Sequence, residues 1–143
     1  MKKRVLPSSL TKLSYRDFDL SFKSHPTTGK LLIKKDDEAV KQAVKNIVLT
    51  NRYERPYHPE FGGDIRSRLF DLFTSITQSD FENRINTAIE NYEPRVQLIS
   101  DNGNASVTVK EYPDENGLAV TVRFRNVATL NDVTLDINLN KVR

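Results

Sequence analysis

Pro94 divides this chain into two hydrophobic periods. Before it, Val40, Val44, Ile47 and Val48 recur at i, i+4, i+7 and i+8, and Phe81, Ile85, Ala88, Ile89 and Tyr92 form a second stripe of the same kind. Such spacing puts apolar side chains on one face of a helix. After it, Val96 and Leu98, then Val107 and Val109, then Leu118, Val120, Val122 and Phe124, and last Val133, Leu135, Ile137 and Leu139 alternate with polar residues. That is the period of strands buried on one side. A proline has no N–H and cannot continue a helix, so the switch falls at Pro94. Helices on one side of it and strands on the other bury their apolar faces most simply against each other. The expected class is therefore α+β: an N-terminal arm, three helices and a small antiparallel C-terminal sheet on which they pack.

Boundaries follow from local chemistry. Asp36 and Asp37 open the first helix, where either carboxylate can cap free N–H groups; it runs to about Thr50 or Asn51, and Arg55-Pro56 cannot continue it. Asp64 is expected to cap a second helix with Ile65, Leu69, Leu72 and Phe73 on one face. Ser79 and Glu82 have capping-box spacing at the start of the third. Turns are expected at Asp101 to Asn104, at Asp114 to Gly117 and near Asn131-Asp132. Residues 1–35 hold a basic tip (Lys2, Lys3, Arg4), turn residues such as Pro26 and Gly29, and alternating Phe18, Leu20, Phe22, Leu31 and Ile33. They read as an extended arm that orders on a partner, ahead of a domain at 36–143.

Composition removes several function classes. The 143 residues make one domain with a real core. Cysteine is absent, and the two histidines, His25 and His58, both precede proline and lie far apart, so no metal and no cofactor are expected. No apolar run reaches bilayer length, and Met1 to Leu10 lacks the apolar segment of a signal peptide, so no membrane partner is expected. A net charge of +3 is weak support for nucleic-acid binding, even with Arg66 and Arg68 close together. There is no Gly-x-Ser-x-Gly and no phosphate-binding glycine loop.

Two compact motifs remain. One runs from Arg52 to Phe70 and the other is Asn91-Tyr92-Glu93-Pro94-Arg95-Val96. Glu93 and Arg95 flank the proline and offer one acceptor carboxylate and one donor fork. On residue chemistry alone, internal pairing and partner docking are evenly balanced. In the first motif, Arg55 and Glu60 can pair across a loop stiffened by Pro56 and Pro59. Phe61 anchors it, Gly62 takes an angle closed to other residues, and Tyr57 and His58 point outward. The last strand, with Val133, Leu135, Ile137 and Leu139, is either an edge that accepts another chain's strand or an ordinary edge blunted by Lys141 and Arg143.

The stretches Glu54-Arg55-Pro56 through Phe61-Gly62, Leu69-Phe70, and Asn91 through Arg95 resemble the baseplate wedge, or tail-sheath initiator, family of contractile-tailed phages, which is related to a baseplate subunit of bacterial type VI secretion systems. The resemblance runs from roughly Asp36 to Arg143, about three-quarters of the chain. It implies a non-enzymatic virion component, assembled in the host cytoplasm, with six copies per baseplate around the tail tube. Glu93, Pro94 and Arg95 would dock on the core bundle of the wedge scaffold proteins. Arg55, Tyr57, His58 and Glu60 would add loop contacts to wedge, tube or hub proteins. Val133, Leu135, Ile137 and Leu139 would pair with the tail sheath protein, so that deleting 133–143 is expected to spare the baseplate and prevent the first sheath ring. The alternative is a tail-associated peptidoglycan hydrolase, since lysozyme activity has been attributed to this family. Glu54, Glu60, Asp64 and Glu93 are its candidate carboxylates. Against it stand the absence of tryptophan to stack on sugars and the arginines beside the notable glutamates.

Overall fold

The computed structural model describes residues 14–100, 103, 105–112 and 117–140. In chain order these form β1 (Arg16–Phe18), β2 (Ile33–Lys35), α1 (Asp36–Leu49), a 3-10 turn (Arg66–Arg68), α2 (Ser75–Tyr92), β3 (Val96–Leu98), β4 (Val107–Tyr112), β5 (Gly117–Asn126) and β6 (Asp132–Asn140). β5 is the spine of the main sheet. β6 pairs antiparallel along nearly all of it, from Gly117↔Asn140 to Arg125↔Asp132. β4 pairs from Val107↔Val122 to Tyr112↔Gly117, and β3 from Val96↔Asn126 to Leu98↔Phe124. A strand has two edges and β6 fills one, so β3 and β4 lie end to end along the other. β1 and β2 make a separate two-stranded sheet.

Both long helices cover the apolar face of the main sheet, α1 toward β6 and α2 toward β3 and β4. Val120, Val122 and Phe124 of β5 form one fully buried cluster with Val40, Val44 and Val48 of α1 and Ile85 and Ile89 of α2. Each such side chain contributes about 1.5–3 kcal/mol on removal from water. The stripes and alternations read in the sequence are the faces that meet here. Thr134, Asp136 and Asn138 of β6 lie on the opposite, uncovered face.

The three-helix arrangement on a small sheet is corrected: among the described residues there are two helices and six strands in two sheets, a largely β architecture. The expected second helix is a single 3-10 turn. Ile65 and Leu69 are buried as its stripe requires, but Leu72 is 81% exposed. Asp64 has φ +58°, a left-handed conformation rather than the extended one of a helix cap. Its carboxylate instead accepts from the Ser67 hydroxyl at 2.7 Å and lies 3.9 Å from Arg84 of α2. A capping box at Thr74 and Thr77 then starts α2, upstream of the expected Ser79–Glu82 pair. Glu82 accepts from the Val109 N–H at 3.0 Å and so fastens α2 to β4.

The two aspartates at the start of α1 do not cap it either. Lys35 is the N-cap and makes no side-chain bond there. Asp37 turns toward the β5–β6 turn and accepts from Asn126 Nδ2 at 2.7 Å, Thr129 Oγ1 at 2.7 Å and Asn131 Nδ2 at 2.9 Å. These three donors, Asn131 first, hold its pKa below the usual carboxylate value against a smaller opposing effect of burial.

The described part of the arm is a hairpin. β1 and β2 pair from Arg16↔Lys35 to Phe18↔Ile33, and a further bridge joins Ser24 to Leu31. Gln42 of α1 donates to the Phe18 carbonyl at 2.8 Å, and Asp36 accepts from the Tyr15 N–H at 3.1 Å, so the hairpin is tied to α1. The basic tip, Asp101, Asn102 and Asn104 of one turn, Asp114 to Asn116 of another, and Lys141 and Arg143 lie outside the described residues. The last strand also differs from the expectation of a dispensable edge. Val133, Ile137 and Leu139 are core residues.

Candidate assembly interface

At the C-terminus of α2 the Glu93 N–H donates to Ile89 O at 2.9 Å, closing the helix. Pro94 then turns the chain, the Val96 N–H donates to Glu93 O at 3.1 Å, and Arg95 O accepts from Val127 N at 2.9 Å, so the junction is sewn to the end of β5. Glu93 is only 4% exposed. Both its oxygens are held by Arg95, Nε to Oε1 at 2.6 Å and Nη2 to Oε2 at 2.6 Å. This fork raises the already high Arg95 pKa, outweighing the opposing effect of burial. The guanidinium also sits 5.2 Å from the centre of the Tyr15 ring, which joins the hairpin to the junction. Of the three motif residues, Glu93 faces inward, Pro94 is exposed, and Arg95 is partly exposed.

The loop motif abuts the same corner. Arg55 lies over the Phe61 ring at 4.2 Å, and Phe61 packs on Tyr92 with centroids 4.8 Å apart and planes at 58°. Arg55 thus meets an aromatic face where a pair with Glu60 was expected, while Phe61 is the anchor the sequence suggested. Gly63 N donates to Ile47 O at 2.9 Å and Asp64 N to Thr50 O at 3.2 Å, pinning the loop base to the end of α1. Gly62 has φ +111°, and a Cβ there would stand 2.2 Å from the Thr50 carbonyl oxygen. His58 and Glu60 are exposed, and Tyr57 is 98% exposed at φ +67°. A tyrosine held outward in a left-handed backbone makes almost no contact with its own domain.

The third expected site is β6. Val133, Ile137 and Leu139 are buried and Leu135 half-buried, so these side chains serve the core. Backbone direction follows from the bonds flanking the sheet. Arg123 N donates toward Ser106 and Val127 N toward Arg95, whereas Asn126 N donates to Asn131. In an antiparallel ladder N–H and C=O of one residue point the same way and alternate along the strand. Leu135, Ile137 and Leu139 therefore bond to β5, and Thr134, Asp136 and Asn138 direct their backbone groups outward. The structure brings the junction and the loop together around Tyr92.

Sequence reasoning did not find Tyr15 or the Asp37 clamp. Asn126, the polar residue at the next position in the alternation of Leu118, Val120, Val122 and Phe124, was the available signal for the clamp.

Comparison with known proteins identifies the family. The profile of baseplate wedge protein gp25 matches residues 34–131. The chain belongs to the gp25 baseplate wedge family. The gp25 baseplate wedge protein of Enterobacteria phage T4 is 32% identical over 95 residues, covering 66% of this chain and 67% of that one. Among solved structures, a putative tail lysozyme from Geobacter sulfurreducens superposes with a TM-score of 0.64 at 26% identity, over 78% of this chain and 96% of its own. A chain of the anti-feeding prophage baseplate gives a TM-score of 0.58 over 91% of this chain and 89% of that one; at 20% identity it shows the fold alone. As a gp25-family member the protein is a structural component of the virion, in the baseplate of a contractile tail. The matched residues include the whole loop and junction motifs and end before β6.

Proposed function

We propose that this gp25-family protein docks on the helical core bundle of the baseplate wedge through Pro94 and Arg95, with Arg55, Tyr57, His58 and Glu60 as loop contacts. Its open β6 edge receives an extended segment of the first tail-sheath ring around the tube. Six copies per baseplate, contact with tube or hub proteins, and assembly in the host cytoplasm belong to the same reading. The observation that carries it is the asymmetry of the junction. Glu93 is buried and clamps the guanidinium in one place, while Pro94 and the partly exposed Arg95 remain open to a partner. A fixed fork loses little entropy when it binds a carboxylate or a helix C-terminus. Glu93 is then a positioning residue, and Arg95 the contact.

The test is the exchanged pair E93R/R95E, which keeps an ion pair at the junction and reverses what it presents. The expected result is a chain that melts cooperatively but no longer enters wedges. Normal incorporation of this variant would remove the junction from the interface.

The name of the Geobacter neighbour gives a reason to test peptidoglycan cleavage directly. In this chain Arg95 occupies both Glu93 oxygens, and Glu54 accepts from the Asn51 N–H at 2.8 Å. Purified protein is expected to release no soluble fragments from peptidoglycan. Activity in the wild type that E54Q or E60Q abolishes would establish a hydrolase instead.

A further inference from the structure

The edge of β6 that pairs with no strand among the described residues is bordered by two recesses, and they set the kind of strand it accepts. The first, about 400 Å³, has Leu135 of β6 and Leu20 of the hairpin as its apolar residues, within a rim of polar and charged residues that includes Lys34, Glu38, Lys41 and Lys45. The second, about 520 Å³, lies among Leu139, Leu69, Phe70 and Arg66. Apolar surface is left open at both: Leu20 is 51% exposed and Phe70 67%. Leu135 and Leu139 are four residues apart, which is about 13 Å along a strand. On the other face of the same edge β6 carries Asp132 and Asp136, and residues 132–140 contain no basic residue. Arg125 holds Asp132 with two bonds, at 2.6 and 2.9 Å, whereas Asp136 is met by the neutral Thr121 hydroxyl at 2.7 Å and is exposed.

We infer that the β6 edge selects an extended segment from another tail protein with large apolar residues at positions i and i+4 on one face and a lysine or arginine on the other, opposite Asp136. The inference rests on the strand-pairing reading proposed above and specifies the partner. Three physical demands fix the occupant. The outward N–H and C=O groups of Thr134, Asp136 and Asn138 require a backbone in extended form. The recesses beside Leu135 and Leu139 fall where an added strand places alternate side chains on the core face, so both fill only when the apolar residues are four apart. The remaining side chains meet the outer face, where Asp132 is already held by Arg125 and a cation directly opposite Asp136 is favoured and a carboxylate disfavoured. A second β6 is a poor occupant: antiparallel pairing centred on Asp136 sets two carboxylates against each other, and residues 132–140 themselves bring no cation to face Asp136.

The test uses the full chain supplied to cells assembling tails without their own copy, with incorporation into baseplates and the fraction of sheathed particles both counted. D136P removes one outward N–H from an edge position that tolerates proline, and so probes the edge itself. F70S and L20S empty one recess each at exposed positions, and D136K reverses the charge. All four are expected to melt as the wild type does and to enter baseplates, with sheathed particles falling about tenfold or more. Normal sheathing in D136P would remove the edge-pairing reading and this inference with it. Loss in D136P alone, with F70S, L20S and D136K sheathing normally, would leave the edge reading in place and overturn the selection rule. Because the chain has no other cysteine, N138C marks the edge uniquely for cross-linking. The expected adduct is a segment of another protein with the stated pattern. A second copy of this chain, or a segment without that pattern, overturns the inference.

Discussion

Arg95 carries two duties that separate in a stability measurement. It neutralises a carboxylate that is 4% exposed, and on the proposed reading its partly exposed side chain meets a partner. Breaking a buried pair by removing one member costs roughly 3–5 kcal/mol, because the other charge is stranded. The guanidinium side chain retains 28% exposure, so R95M is expected to cost less, about 2–3 kcal/mol by denaturant unfolding. The double change E93Q/R95M removes the stranded charge and is expected to recover at least half of that loss. A double variant as unstable as R95M would mean that shape, and not charge, holds the junction. The pair was visible in the sequence as an acid and a base around a proline. Its inward direction was not, because burial of Glu93 depends on β5 and on a hairpin whose Tyr15 is distant in sequence.

Elements read by period came out where the apolar residues placed them. The stripe from Val40 to Val48 is α1, the stripe from Phe81 to Tyr92 lies in α2, and the alternating runs after Pro94 are β3 to β6. Each is a long repeat that only one packing face satisfies. The second helix failed because Ile65 and Leu69 suit one turn as well as four, and because Asp64 and Gly62 are committed to contacts with Arg84 and Thr50. Caps failed for a related reason: Asp37 sits where a cap would, but bonds across the fold to the β5–β6 turn. That clamp has a defined pH signature. Its folded pKa lies below the ordinary 3.8, so its contribution is complete above that value and is lost as pH falls through the lower folded value. D37N is expected to cost about 1–2 kcal/mol at neutral pH, discounted because the site is half open to solvent. The gap to wild type should narrow below about pH 4. A gap that stays constant down to pH 2 would show that the clamp's charge contributes nothing. The loop makes a second demand at this scale. G62A forces a Cβ against the Thr50 carbonyl at a positive φ, and is expected to lower stability by about 2 kcal/mol or more.

In the whole molecule, the proposed pairing edge and the core share the same strand. β6 buries Val133, Ile137 and Leu139 in the core while its outward backbone groups meet no strand among the described residues and Asp136 stays exposed. Burial of three such side chains is worth roughly 5–8 kcal/mol, which is comparable to the full stability of a domain of this size. Deleting 133–143 is therefore expected to abolish the cooperative melt and keep the protein out of baseplates altogether, in place of the selective loss of sheath that the family resemblance implied. A truncated chain that still melted sharply would mean that α1, α2 and β3 to β5 close a core without β6. The contrast with D136P is what makes the experiment informative, since that change touches the same strand only on the side facing away from the domain. If truncation unfolds the chain and the proline does not, the edge can be altered independently of the fold. On the proposed reading, the β6 edge is then available as a template only in a chain that has already folded, so folding would precede sheath recruitment without any further device.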